Sequence, residues 1–381
     1  MTTRSYLDYN ATAPLRPEVR DAMVAAFDTY GNPSSVHAEG REARALVEAA
    51  RAKVAVLAGA RPEDVIFTSG GSEANALALA AQAGEAWQCY MSAIEHPSVL
   101  AGGRFYREST TRIPVSSDGV IDLTALEKEL TKHHLGGWRA FVSLMAANNE
   151  TGAIQPVAEA AKLVHVAGGL LHSDAVQVAG RLPLKFGALG ADMMTLSAHK
   201  IGGPKGVGAL LLRQGAAVEP LIKGGGQERR RRAGTENVAG IVGFGVAAEL
   251  AAAEAEWAPE LAALRDKLET KALGLVPETV VLAGKVERLP NTSCIAVPVT
   301  KAETLVIGLD LACVAVSSGS ACSSGKVEAS HVLSAMGVSP ELAQGAIRVS
   351  LGFGTTSADI ERFIGAWGEL IKRMRQRQEA A

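Results

Sequence analysis

Cysteine is scarce in this 381-residue chain, with four residues at Cys89, Cys294, Cys313 and Cys322. Four are too few for a disulfide scaffold, and none has the C-x-x-C or Cys/His spacing of a zinc site, so no metal is expected. An excess of one charge is also missing. The 38 Lys+Arg and 40 Asp+Glu residues leave a formal net charge of −2, which provides no footprint for nucleic acid or an acidic membrane. No segment approaches the roughly 20 uncharged apolar residues that cross a bilayer. The first residues, "MTTRSYLDYNATAPLRPEVR", lack the apolar stretch of a signal peptide. These absences point to a globular cytoplasmic protein with reduced thiols.

What the chain does have is alternation. Short apolar runs, each followed by polar residues and a helical stripe, argue for an α/β protein with a mostly parallel sheet. The stripe Leu46, Val47, Ala50, Val54 and Leu57 predicts a helix ending near Gly59. "DVIFTSGG", "AFVSLMA", "GLLHSD", "DMMTLSAHK" and "VGALLL" read as strands. In open α/β sheets ligands gather at the carboxyl ends of strands, so the polar residues there are site candidates. An alanine-rich helix from Asn237 toward Leu273 is long enough to join two domains. After Pro277 the shorter runs "TVVLAG", "TSCIAVPV" and "CVAVSS" predict a smaller α+β domain.

Several strand ends carry groups capable of chemistry. Lys200, in "SAHK", stands where a strand would deliver an amine able to form a Schiff base with a carbonyl cofactor. Asp174 ends "LLHSD"; a carboxylate there can keep a pyridine nitrogen protonated, or simply cap a helix. "TSGGSEAN" combines backbone N–H groups and hydroxyls at a helix start, a cradle for a phosphate or only a turn. His96 sits before a proline in "IEHPS". "QERRRR", from Gln227 to Arg232, is either a solvated basic face or an anion site. Cys322 lies among small residues in "SSGSACSSG", where an exposed thiol is a liability unless it has a use.

Together, "LDYNATAP", "TSGGSEAN", "EHPS", "NNETG", "HSDAVQ", "SAHK" and "SGSACSSGKVEASHVL" resemble the motifs of NifS/IscS-type cysteine desulfurases. That family belongs to the pyridoxal 5'-phosphate (PLP) enzymes of the class V aminotransferase superfamily. The resemblance runs from about residue 6 to Gly352. It implies PLP-dependent transferase fold type I: a large domain with a mostly parallel mixed sheet over residues 15–260, and a small α+β domain from residues 1–14 and 261–381. The cysteine-bearing loop, of the longer type found in NifS and IscS, would cover about 317–327.

The same resemblance implies residue roles. Lys200 holds PLP and moves protons, Asp174 pairs with the ring nitrogen, and Gln177 serves the ring hydroxyl side. His96 stacks on the ring and acts as acid or base, while Asn149 contacts the ring oxygen and the substrate region. Gly71, Ser72, Ser197 and His199 form the phosphate cradle, with Thr235 reaching in from the other subunit of a homodimer. Arg348 pairs with the substrate carboxylate, as a planar guanidinium does well. Cys322 takes sulfur from L-cysteine as a persulfide, releases L-alanine, and hands sulfur to an acceptor protein for iron–sulfur or other sulfur cofactors. A selenocysteine lyase, or another class V PLP enzyme, is the alternative. Cys89, Cys294 and Cys313, in apolar runs, are expected to be small core residues.

Overall fold

The structure, a computed structural model, describes residues 4–80, 87–135, 138–298, 300–318 and 330–379. Thirteen strands are described: β1 (Ser5–Tyr6), β2 (Val65–Thr68), β3 (Trp87–Ser92), β4 (Thr110–Ile113), β5 (Arg139–Ser143), β6 (Leu170–Asp174), β7 (Met193–Ser197), β8 (Gly208–Leu212), β9 (Val280–Leu282), β10 (Thr292–Ala296), β11 (Val314–Ala315), β12 (Ser317–Ser318) and β13 (Ala346–Ser350). A seven-stranded sheet has the order β2-β8-β7-β6-β5-β3-β4. Only β8 runs against the others. β2, β7 and β8 are buried along their whole length, as expected of strands covered on both faces.

Helices cover this sheet. Ala38–Ala58 ends at Gly59, whose left-handed φ of 58° closes the helix as a glycine readily can. It packs against Val238–Glu254 so closely that a Cβ on Gly245 would stand 2.7 Å from the Ala50 Cα. The single connecting helix read from the sequence is broken: Val238–Glu254 and Ala258–Leu275 meet at 76°, across a short 3-10 turn with Pro259 at the start of the second. A proline suits a first helical turn and resists continuation of a preceding helix. No single helix among the described residues is long and apolar enough to cross a membrane.

A second, antiparallel sheet has the order β12-β13-β10-β9, and β1 pairs with β11 in a two-stranded parallel ribbon. "CVAVSS" is therefore two short strands in different sheets. Leu7, Leu268, Ile295, Ile347, Phe363 and Trp367 belong to one core beside this sheet, so the first residues of the chain pack with the last hundred. Cys89 and Cys294 are buried as expected. Cys313 is not a core residue: it is only half-buried and adopts a left-handed φ of 60°, in the turn where its carbonyl accepts from Ser5 N at 2.9 Å.

Candidate active site

β6 and β7 lie side by side and deliver the two central groups. Asp174 is the last residue of β6 and is buried. Its Oδ2 accepts from Asn75 Nδ2 at 2.7 Å and its Oδ1 from Val176 N at 3.0 Å. Two residues earlier, His172 is fully buried between the Ser143 and Thr195 hydroxyls at 2.8 and 3.0 Å. Burial pulls its pKa down to about 4 against the opposing field of Asp174, so the ring is neutral at pH 7.

β7 ends at Ser197, and one 3-10 turn, Ala198–Lys200, carries the lysine past the strand end. Lys200 Nζ donates to the carbonyls of Asn10 and Ala11, the latter at 2.9 Å. Its pKa falls to about 7, first through desolvation, then through Arg348 and Arg181, while Asp174 and Asp8 oppose. A lysine so placed holds a substantial neutral, nucleophilic fraction at neutral pH. Gln177 Nε2 donates at 3.1 Å to the same Asn10 carbonyl that Lys200 uses, which puts the amide and the amine side by side. The Gln177 Oε1 is taken by buried Arg181.

His96 follows β3 and caps the short helix Pro97–Leu100, its Nδ1 accepting from Ser98 N at 3.2 Å. The ring is solvent-accessible. Desolvation by the surrounding protein lowers its pKa; Lys200 and His331 lower it further, and Asp174 raises it. His96 Nδ1 lies 2.7 Å from Ser98 Oγ, which accepts from Asn75 Nδ2 at 2.9 Å, and the same nitrogen donates to Asp174, so His96 and Asp174 share one hydrogen-bonded cluster. His199 Nδ1 lies 3.2 Å from Thr12 Oγ1. Its pKa is lowered to about 4 by desolvation and by the two lysines Lys200 and Lys205.

The helix Gly71–Ala80 starts against Ser197. A Cβ on Gly71 would sit 3.3 Å from Val176 Cγ2 and 3.5 Å from Ser197 Cβ, so glycine keeps the cradle open. Arg348, in β13, donates from Nη1 to the Asn149 carbonyl at 3.0 Å and from Nη2 to Asp8 Oδ1 at 2.8 Å. Its Nε is buried and has no hydrogen-bond partner among the described residues.

Thr235 is exposed, on the stretch leading into Val238–Glu254. The preceding arginine run is not a plain solvated face. Glu228, Arg229 and Arg230 all have left-handed φ, from 45° to 64°, at roughly 1–2 kcal/mol each. Glu228 holds this turn: it is buried, takes both terminal nitrogens of Arg51 at 2.7 and 2.9 Å, and accepts from Phe67 N at 2.9 Å. Arg229 donates to the Glu63 carbonyl, and Arg232 pairs with Glu73 of the cradle helix at 3.0 Å.

Reasoning from sequence did not single out Asp8, Asn10, Asn75, Glu95, Glu150 or His331. All six sit inside the quoted motifs, Asp8 and Asn10 in "LDYNATAP", Asn75 in "TSGGSEAN", Glu95 in "EHPS", Glu150 in "NNETG" and His331 in "SGSACSSGKVEASHVL", and that is the available signal. Cys322, and the loop assigned to about 317–327 apart from Ser317 and Ser318 of β12, lie outside the described residues.

The donor set suits the PLP that the sequence implies: an amine of depressed pKa, a buried carboxylate, and a glycine-opened helix start able to take a phosphate. A profile of the aminotransferase class-V family matches residues 5–363. A cysteine desulfurase of Cereibacter sphaeroides is 46% identical over 98% of this chain and 97% of its own length. The cysteine desulfurase IscS of Dictyoglomus turgidum is 41% identical over 98% and 96%. The X-ray structure of a NifS-like protein from Rickettsia africae superposes with a TM-score of 0.88 at 37% identity, covering 97% of this chain and all of that one. With a lysine, a carboxylate and a glycine-opened helix start at the strand ends, the chain belongs to the aminotransferase class-V family of PLP-dependent enzymes.

Proposed function

We propose that this protein is a cysteine desulfurase: L-cysteine and the Cys322 thiol give L-alanine and a Cys322 persulfide. The substrate Cβ–S bond breaks and an S–S bond forms. The Cys322 sulfur and the substrate sulfur are each oxidised by one electron, Cβ is reduced by two to a methyl group, and the electron pair left on Cβ takes a proton, so no outside oxidant is needed. The observation that carries this reading is convergence. Lys200 and Gln177, three residues after Asp174, donate to the Asn10 carbonyl, Asn10 and Arg348 both donate to the Asn149 carbonyl, and both described ends of the Cys322 segment are fixed nearby, Ser317 by pairing with Arg348 and Ser330 through Glu150.

Bound PLP supplies an electron sink that makes the α-proton of an amino acid acidic. Lys200 Nζ, neutral in part at pH 7, is placed to hold the cofactor and then to take and return that proton. Asp174, kept in place by Asn75 and Val176, would hold the proton on the ring nitrogen; Gln177 would serve the ring hydroxyl side, Asn149 the ring oxygen and substrate region, and His96 would cover the ring. Gly71, Ser72, Ser197 and His199 would hold the phosphate. Arg348 orients the substrate carboxylate, with Asp8 steadying its fork.

Thr235 completes the cradle from a second copy of the chain. Phe27, Tyr30 and Val36 are 71%, 84% and 87% exposed, and Gln227 ties this loop to the Thr235 stretch through Ser34. Such an apolar face beside an incomplete site supports a homodimer. The sulfur leaves to an acceptor protein that builds iron–sulfur or other sulfur cofactors in the cytoplasm.

The test uses loaded Cys322→Ala protein. L-alanine should still exchange its α-proton with deuterated solvent within about twofold of the parent rate, while desulfuration falls by at least roughly 10³-fold. Normal desulfuration by this variant would refute the assignment.

A further inference from the structure

Immediately after the Cys322 segment, two consecutive side chains at the start of the helix His331–Ala335 are tied to the walls of the cleft. Ser330 is buried and donates from Oγ to Glu150 Oε2 at 2.6 Å. His331 Nε2 lies 2.9 Å from the backbone carbonyl of Glu95. A carbonyl only accepts, so Nε2 carries the proton and the tautomer is set.

Both acceptors adjoin residues of the site. Glu150 follows Asn149 in a turn whose amides at Glu150 and Thr151 donate to Asn148 Oδ1 at 2.9 and 3.0 Å. Glu95 precedes His96 and is fully buried, its Oε1 accepting from Met145 N at 2.6 Å. The acceptors are therefore rigid, and each lies one residue from a group that meets the cofactor or substrate. Ser330 also caps its own helix through Leu333 N at 3.1 Å, so the attachment continues into secondary structure. At the other end, Ser317 and Ser318 pair with Arg348 and Ile347.

We propose that Ser330 and His331 are positioning residues for sulfur transfer: they fasten the downstream end of the Cys322 segment to Glu150 and the Glu95 carbonyl and so set where the thiol can arrive. The inference rests on the desulfurase reading. Anchoring one end of a short segment limits the volume its thiol explores, and loss of such placement costs rate in the step that uses the thiol. Neither residue is among the hydrogen-bond partners of Lys200, whose Nζ donates to the Asn10 and Ala11 carbonyls.

The experiment compares Ser330→Ala, His331→Ala and the double variant with Ser330→Thr and His331→Gln, which keep a donor, all loaded with PLP. Two rates are read: desulfuration of L-cysteine, and deuterium exchange at the α-carbon of L-alanine. Each alanine variant should lose about 10-fold in desulfuration kcat and the double variant up to about 100-fold. Exchange and cofactor absorbance should stay within about twofold, and the conservative variants should recover most of the loss. If Ser330→Ala fails to fold, the His331 pair carries the same comparison. Unchanged desulfuration, or exchange falling in parallel, would overturn the inference. If Cys322→Ala is inactive while these variants are normal, only this inference falls; if Cys322→Ala is itself active, the desulfurase reading falls with it.

Discussion

Lys200 and Arg348 reach the same cleft from sheets built on different plans. Lys200 stands one turn past the end of β7, in the mainly parallel sheet, where the chain must leave the strand and polar atoms become available. Arg348 stands mid-strand in antiparallel β13, flanked by Cys294 on β10 and Ser317 on β12, and reaches the cleft from the sheet's face. The lysine's placement is marked in the sequence by an apolar run followed by polar residues. The arginine carries no such mark and resembles any other arginine in a β segment. Its function is set by Asp8 and the Asn149 carbonyl, which orient the guanidinium from distant parts of the chain.

The largest effect should come from the strand-end side. Lys200→Ala removes the amine on which proton movement depends, and desulfuration should fall by roughly 10³-fold or more, followed as sulfide release. Arg348→Ala should act mainly on substrate binding. Losing a charged, fork-shaped partner for a carboxylate costs about 3 kcal/mol, so KM should rise by roughly 10²-fold with a smaller change in kcat. If Arg348→Ala instead lowered kcat alone, the contrast between the two sheets would be drawn wrongly.

A third change tests the support beneath the exposed Thr235 stretch. Glu228→Gln removes the buried countercharge of Arg51, leaving it only the half-exposed Glu48, and loosens three left-handed residues. Such a broken pair costs about 3–5 kcal/mol, readable by urea denaturation. Activity of the molecules that remain folded should change far less than stability.

The smallest effect is a pH shift. Capture of PLP by the apoprotein needs neutral Lys200, so its rate should rise with pH through about 7 and then level off. Arg348→Gln removes a neighbouring positive charge and should move that midpoint upward. The stability sign follows the same group. Lys200 in the fold binds its proton less tightly than in the unfolded chain, where the value is near 10.5. The unfolded state therefore holds more protons between the two values, and the contribution of Lys200 to apoprotein stability rises with pH from about 7 upward.

The parts of the site readable from sequence were those fixed by local pattern. β6 and β7 ended at Asp174 and Ser197, and the glycine turn before Ser72 opened a helix. What escaped was pairing across long separations. Asn75 holds Asp174 from 99 residues away, and Glu150 holds Ser330 from 180. No periodicity encodes which buried polar group meets which. The break between Val238–Glu254 and Ala258–Leu275 escaped for another reason: alanine favours helix throughout, and one proline at a tolerated first-turn position outweighed it.

Peptide mass mapping after brief exposure of the loaded protein to L-cysteine tests the central claim most directly. One added sulfur atom should appear on the peptide containing Cys322, in step with alanine formation, and be absent from the peptides of Cys89, Cys294 and Cys313. Alanine formed with that sulfur on another cysteine, or with none retained on Cys322, would contradict the account.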